Sequence, residues 1–195
     1  MTTDRHTTDT HNSAPVMTER EKILACLARY CRGIDRRDPD LVRSAYWPGA
    51  IDDHVTWVGT VEAFVDWVMP LIGSMELTQH KLGQSHIEWH GDVAMVETCL
   101  TAYHRVPVDG RSRDIILGAR YADRMERRGG EWRIAHRILI QDWIQDIGAS
   151  IDWSKGSLGM LPLHDRGFGS GADDSSVAFM ATVGKGWPVT PPTTS

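Results

Sequence analysis

The chain has neither a glycine-rich phosphate loop nor a Gly-x-Gly-x-x-Gly opening a helix after a strand, so it carries no sequence warrant for a nucleotide or flavin. No cofactor is expected. It also lacks a concentrated Lys/Arg face: Arg36-Arg37 and Arg127-Arg128 are isolated pairs and the net charge is −5, which argues against a nucleic-acid partner. No run approaches the roughly 18 apolar residues that a spanning helix needs. The first 17 residues are polar and lack an apolar core, so they read as neither a signal peptide nor a membrane anchor. No membrane association is expected.

Cysteine is scarce. Cys26, Cys31 and Cys99 are an odd number set in apolar-patterned segments, which reads as free buried thiols in a reducing cytoplasm. Cys26 and Cys31 do not share a helix face, which disfavours a bridge or a metal pair. Zinc-like ligand spacing is absent as well. Asp52, Asp53 and His54 alternate in direction along a strand, so at most two of them can meet one ion. His80, His86 and His90 have equal parity on one strand, but in a regular strand they span about 33 Å, too far for a shared metal.

A chain of 195 residues suffices for one domain with its own core. Residues 1–16 have no apolar period and are expected to be a disordered tail. Thr18-Glu19-Arg20-Glu21 has capping-box form, and Ile23, Leu27, Tyr30, Cys31 and Ile34 follow at helical spacing, with Gly33 weakening the last turn. Asp38-Pro39 starts a short second helix that ends before Pro48-Gly49. A strand over Ala50 to Val55 leads to Thr60, which caps a third helix carrying Val61, Phe64, Val65, Val68 and Leu71.

From Thr78 the period changes to two. Strands over about 78–90, 93–106, 113–126 and 131–145 are joined by His90-Gly91-Asp92, Val108-Asp109-Gly110 and Arg128-Gly129-Gly130, each a glycine-containing hairpin turn. Helices followed by a strand meander imply an α+β fold, a cone-shaped roll with three N-terminal helices packed on a curved, mostly antiparallel sheet. On the last strand the period places Trp132, Ile134, His136, Ile138, Ile140 and Asp142 toward the helices, and Arg133, Arg137 and Gln141 outward. The domain thus spans 17–146. Residues 147–195 keep enough apolar side chains to pack over the domain or a neighbouring subunit.

Tyr30 and Asp35 at the end of the first helix, His80 in Thr78-Gln79-His80-Lys81-Leu82-Gly83-Gln84, and the hairpin Tyr121 to Trp132 resemble the SnoaL-like branch of the nuclear transport factor 2-like superfamily over about residues 17–145. That branch includes scytalone dehydratase, hexachlorocyclohexane dehydrochlorinase and bile acid 7-alpha-dehydratase. The resemblance implies that Asp35 and His80 act together as a proton-transferring pair inside the cone, with Tyr30 polarising a carbonyl or donating a proton. A histidine is suited to that work near neutral pH when a carboxylate holds its tautomer. Two departures stand out: His54 falls where the dehydratases carry a tyrosine, and Gln141 where the bile acid enzyme carries an arginine. Arg137 or His136 are the residues that could replace that cation.

The implied activity is a cofactor-independent lyase or isomerase, with dehydratase first and dehydrohalogenase, isomerase and polyketide cyclase after it. The substrate is expected to be a hydrophobic cyclic small molecule, such as a steroid, terpenoid, polyketide or halogenated ring, held by His54, Tyr46, Trp57, Phe64, Trp67, His104 and His136, with Trp47 and Met69 completing the walls. The alternatives are a non-catalytic binding or assembly protein, since fold alone does not fix chemistry, and an accessory subunit of a ring-hydroxylating oxygenase. A homo-oligomer is expected, because Trp89, Tyr103 and Trp143 cannot all be covered by three helices, and the resemblance implies a trimer before a dimer.

Overall fold

Thr18 caps the first helix as its sequence requires: its Oγ1 accepts from the Glu21 amide at 3.2 Å, and the Glu21 carboxylate accepts from the Thr18 amide at 2.7 Å. The structure, a computed structural model, describes residues 16–153, 171 and 174–182. Most of the expected N-terminal tail and much of the 147–195 extension lie outside those residues.

Helix α1 (Glu19–Asp35) buries Ile23, Cys26, Leu27, Tyr30, Cys31 and Ile34 in one stripe. Helix α2 (Pro39–Ser44) follows, with Asp38 Oδ1 accepting from the Leu41 amide at 2.9 Å and Pro39 at its first position. Gly33 is where the two helices touch. A Cβ there would lie 2.7 Å from Val42 Cγ2 and 2.8 Å from the Val42 backbone nitrogen. Gly33→Ala is therefore expected to destabilise the fold by about 1–3 kcal/mol through overpacking, despite alanine's better helix propensity. Urea denaturation checks this, and a stabilised variant would contradict the contact.

Strand β1 (Tyr46–Asp53) begins earlier than the sequence suggests and carries Pro48-Gly49 inside it, at an irregularity in its pairing. A short β2 (Val58–Thr60), which the sequence reading does not anticipate, turns back on it. Helix α3 (Val61–Gly73) buries Val61, Phe64, Val65, Val68 and Ile72. Leu71, expected in that stripe, is exposed instead, and Ile72 takes the core position.

Four long strands complete the sheet: β3 (Leu77–His90), β4 (Val93–Val108), β5 (Arg111–Arg128) and β6 (Glu131–Ala149). The order is β2-β1-β6-β5-β4-β3, antiparallel throughout except where β1 runs parallel to β6. The turns match their sequences. Asp109-Gly110 and Gly129-Gly130 each hold two successive positive φ angles, which is the two-residue hairpin geometry that suits the strand twist. The helices lie on the inner face of this curved, unclosed sheet, giving the expected α+β roll.

β-Bulges decide which side chains face the helices. On β6, Ile134 pairs with Met125 but His136 pairs with Arg124, so Ala135 is an extra residue. One inserted residue exchanges the two faces for everything beyond it. Trp132 and Ile134 point inward as expected, but His136 and Ile138 then point outward while Arg137 is fully buried. Asp142 is also outward, paired with Arg120 at 2.9 Å. A second irregularity, between Leu82 and Ser85, separates His80 on the inner face from His86 on the outer one.

After the sheet, α4 (Ser175–Met180) lies beside the C-terminal end of α1: its N-cap Asp174 pairs with Arg36 at 3.1 Å, and Ser176 accepts from Arg32 at 3.4 Å. Among the described residues no helix is long and apolar enough to cross a membrane.

Candidate active site

Asp35 is the last residue of α1, yet its carboxylate is spent on β3 rather than on its own helix. Oδ1 accepts from His80 Nδ1 at 2.7 Å and from Thr78 Oγ1 at 3.1 Å, and Oδ2 accepts from the His80 backbone amide at 2.9 Å. Three donors fix that carboxylate. Because Thr78 and His80 are two apart on one strand, their side chains share the inner face, and the acid reaches both. The side chains of Asp35 and His80 keep only 8% and 11% of their exposure. With Nδ1 held by the acid, Nε2 is the ring nitrogen left for chemistry.

His80 lies on the wall of a cavity of about 240 Å³ between the inner sheet face and helices α1 and α3. Tyr30, His54, Thr56, His104, Tyr121 and Gln141 supply its other polar groups, and Ile34, Trp67, Val68, Leu100, Leu117 and Leu139 are among its apolar ones. A mostly apolar cleft with a few converging polar groups is the ordinary form of a small-molecule site. Among the described residues there is no group of three His, Cys, Asp or Glu side chains placed to hold a metal.

The structure therefore brings Asp35, His80, Tyr30, His54, Trp67 and His104 together. It excludes His136, which the bulge at Ala135 turns to the outer face, where it lines an open groove of about 380 Å³ with His86, Glu88, Met95 and Ile138. Tyr46, Phe64 and Trp57 stand behind the wall rather than on it. Phe64 is fully buried between the Tyr30 and His54 rings, at 6.5 and 5.1 Å, while Trp57 stacks on Trp67 at 5.6 Å. Tyr46 is buried too and donates its hydroxyl to Asp52 at 2.6 Å. Trp47 is remote from the cavity, its indole nitrogen donating to the Glu126 carbonyl at 2.9 Å.

Two groups have placements that the sequence reading does not give. Asp52, near the end of β1, is fully buried and holds Nδ1 of His54, the first residue beyond that strand, at 3.0 Å. Arg137 is the other. Expected on the solvent side, it is completely buried, bound through Nε and Nη2 to both oxygens of Asp123 at 2.7 Å each. Its guanidinium lies 3.7 Å from the Tyr121 ring centroid, 4.2 Å from Tyr30 and 5.8 Å from Tyr46. Burial, the largest influence, opposes its charge, but the Asp123 carboxylate together with the neighbouring Tyr46 and Tyr30 more than offsets it and holds Arg137 well above its ordinary pKa. It therefore sits beneath the tyrosines as a neutralised cation.

Burial, and after it the Asp52 carboxylate, pushes the Tyr30 phenol above its usual range, with Arg137 offsetting part of the rise. Tyr30 thus remains a hydroxyl donor at neutral pH. His104 stands edge-on to His80, ring centroids 5.7 Å apart. Burial, helped by the neighbouring His80 and opposed by Asp35, lowers the His104 pKa from 6.5 to about 4. A depressed histidine binds its proton more weakly when folded, so its contribution to stability is complete above pH 6.5 and falls away as pH drops toward 4. Ring-proton NMR of the native protein is expected to give His104 a midpoint near 4. A midpoint at the unperturbed value would show a wetter site.

The fold and cavity define an NTF2-like α+β roll. The solved structures it is similar to include the following three, all under 25% identical. A hexachlorocyclohexane dehydrochlorinase, LinA-type3 from Novosphingobium barchaimii LL02, is 17% identical with a TM-score of 0.60, over 74% of this chain and 94% of that one. A scytalone dehydratase-like protein from Novosphingobium aromaticivorans DSM 12444 is 20% identical with a TM-score of 0.59, over 66% and 87%. An NTF2-like superfamily protein from Salmonella enterica serovar Typhimurium is 18% identical with a TM-score of 0.56, over 63% and 89%. No curated protein matches. Residues 15–138 match the model of the SnoaL-like domain, and the chain belongs to that family.

Proposed function

We propose that the protein is a cofactor-independent lyase or isomerase that removes a proton from a carbon of a hydrophobic cyclic small molecule, dehydration or a related elimination being the first choice. One observation carries this reading: the 2.7 Å contact between Asp35 and His80 Nδ1 on the wall of an apolar cavity. Asp35 fixes the tautomer, Nε2 takes the proton, and the carboxylate balances the imidazolium that forms. Tyr30, kept protonated by its surroundings, is placed to donate to the substrate oxygen on which charge develops. The structural neighbours named for dehydrochlorination and for scytalone dehydration are consistent with elimination chemistry.

Neither candidate replacement for the missing cation serves it directly. His136 faces away, and Arg137 is already neutralised by Asp123. Tyr30 over the buried Arg137 is the nearest equivalent. We also propose a homo-oligomer, a trimer before a dimer as the family resemblance implies, since Met95, Ile138 and Trp143, left 45%, 41% and 48% exposed, offer apolar surface for an interface. Light scattering on the purified full chain tests that assembly.

The activity is tested with 2-tetralone, a bicyclic ketone with acidic α-protons, in deuterated buffer by proton NMR. Wild type is expected to accelerate the loss of the α-proton signal over buffer. A rate equal to buffer would favour a binding protein without catalysis.

A further inference from the structure

Two histidine–carboxylate pairs, not one, serve the same cavity. His54 occupies its wall through the loop between β1 and β2, while His80 comes from β3. In the sheet order β2-β1-β6-β5-β4-β3 these strands are four steps apart, about 19 Å along a flat sheet. The curl of the sheet brings both rings to one cavity.

The placement of His54 is heavily determined. Its Nδ1 is bound at 3.0 Å by Asp52, whose other oxygen is taken by the Tyr46 hydroxyl at 2.6 Å. Its ring packs against Phe64 and Trp67 at 5.1 and 6.1 Å, and its amide donates to the Trp57 carbonyl at 2.7 Å. The next residue, Val55, adopts φ 58°, a left-handed conformation that a β-branched residue rarely accepts. Strain of this kind persists where the surroundings over-determine it, and such positions cluster at functional sites.

We propose that Asp52 and His54 form a second proton-transfer dyad, in which His54 is the general acid that protonates the departing group in the cavity it shares with the His80 base. This rests on the proposed function and adds the second half of the reaction. With Nδ1–H directed at Asp52, the imidazolium carries its transferable proton on Nε2, toward the cavity. His80 Nε2 takes the carbon-bound hydrogen, and the C–H electron pair becomes the new π bond. The bond to the leaving oxygen breaks with its pair, and that oxygen receives the His54 proton. His80 is then the imidazolium and His54 neutral, and water exchanges the proton back. His104 does not compete for this role: among the described residues no carboxylate bonds its ring, and burial keeps it neutral.

Benzisoxazoles test the assignment, because base attack at their ring C–H forms a nitrile and breaks the N–O bond to a phenolate in the same step. Unsubstituted benzisoxazole, the poorer leaving group, depends on an acid more than the 5-nitro compound does. His54→Gln is expected to lower kcat/KM for the unsubstituted compound by about 10²-fold and to cost the 5-nitro compound at least ten times less. His54→Phe, which keeps a ring against Phe64 and Trp67 without either nitrogen, must follow the same pattern. Equal losses on both compounds, alongside intact 2-tetralone exchange by wild type, would overturn the acid role and leave the proposed base standing. Indifference of both reactions to His80→Ala would overturn the base and this inference together.

Discussion

His80→Ala is expected to reduce the enzyme-dependent exchange of 2-tetralone by about 10²–10⁴-fold, the usual contribution of a positioned general base. The ring lies at the cavity wall with Nδ1 held by Asp35. Its His104 neighbour is placed edge-on and has a pKa near 4, so it offers a much weaker base. Asp35→Asn should lose less than His80→Ala while remaining far below wild type. Asparagine can present its amide nitrogen to the ring, which selects the wrong tautomer, and it carries no charge to balance the imidazolium. The two losses should not add in the double variant, because the residues act as a unit. Additive losses would mean that Asp35 works elsewhere.

Arg137→Ala is expected to cost about 3–5 kcal/mol of stability, since it strands the fully buried Asp123 carboxylate without its bidentate partner. It also removes the cation beneath Tyr30 and Tyr121. Removing both charges should be far milder. Arg137→Leu combined with Asp123→Leu leaves no unpaired charge, and its urea midpoint should lie nearer wild type than that of either single variant. A loss below about 1 kcal/mol for Arg137→Ala would contradict a fully buried pair.

Much of this architecture is legible in the sequence where local chemistry dictates it. Thr18 with Glu21, Asp38-Pro39, Asp109-Gly110 and Gly129-Gly130 each satisfy a backbone requirement within a few residues, and each lies where it was expected. The Asp35 and His80 pair is different. Its partners are 45 residues apart, and only the family resemblance points from one to the other before the 2.7 Å contact is seen. What could not be read is parity across a bulge. Nothing about Ala135 announces that it is unpaired, yet that single residue sends Arg137 inside and His136 outside. The irregularity after Leu82 separates His80 from His86 in the same way. Asp52 was within reach of the sequence, because residues two apart on the strand expected over Ala50 to Val55 share a face. Its burial, which makes it the partner of His54, depends on helix α3 and on Tyr46 packing around it.

Chemical rescue tests the central claim most directly. With His80→Ala, a single measurement follows the exchange of 2-tetralone against added imidazole. If the imidazole ring at this position is the base, the variant begins near the buffer rate and recovers with saturation as free imidazole fills the vacated space beside Asp35. If His80→Ala exchanges as fast as wild type without imidazole, the proton is taken by another group and the account is wrong.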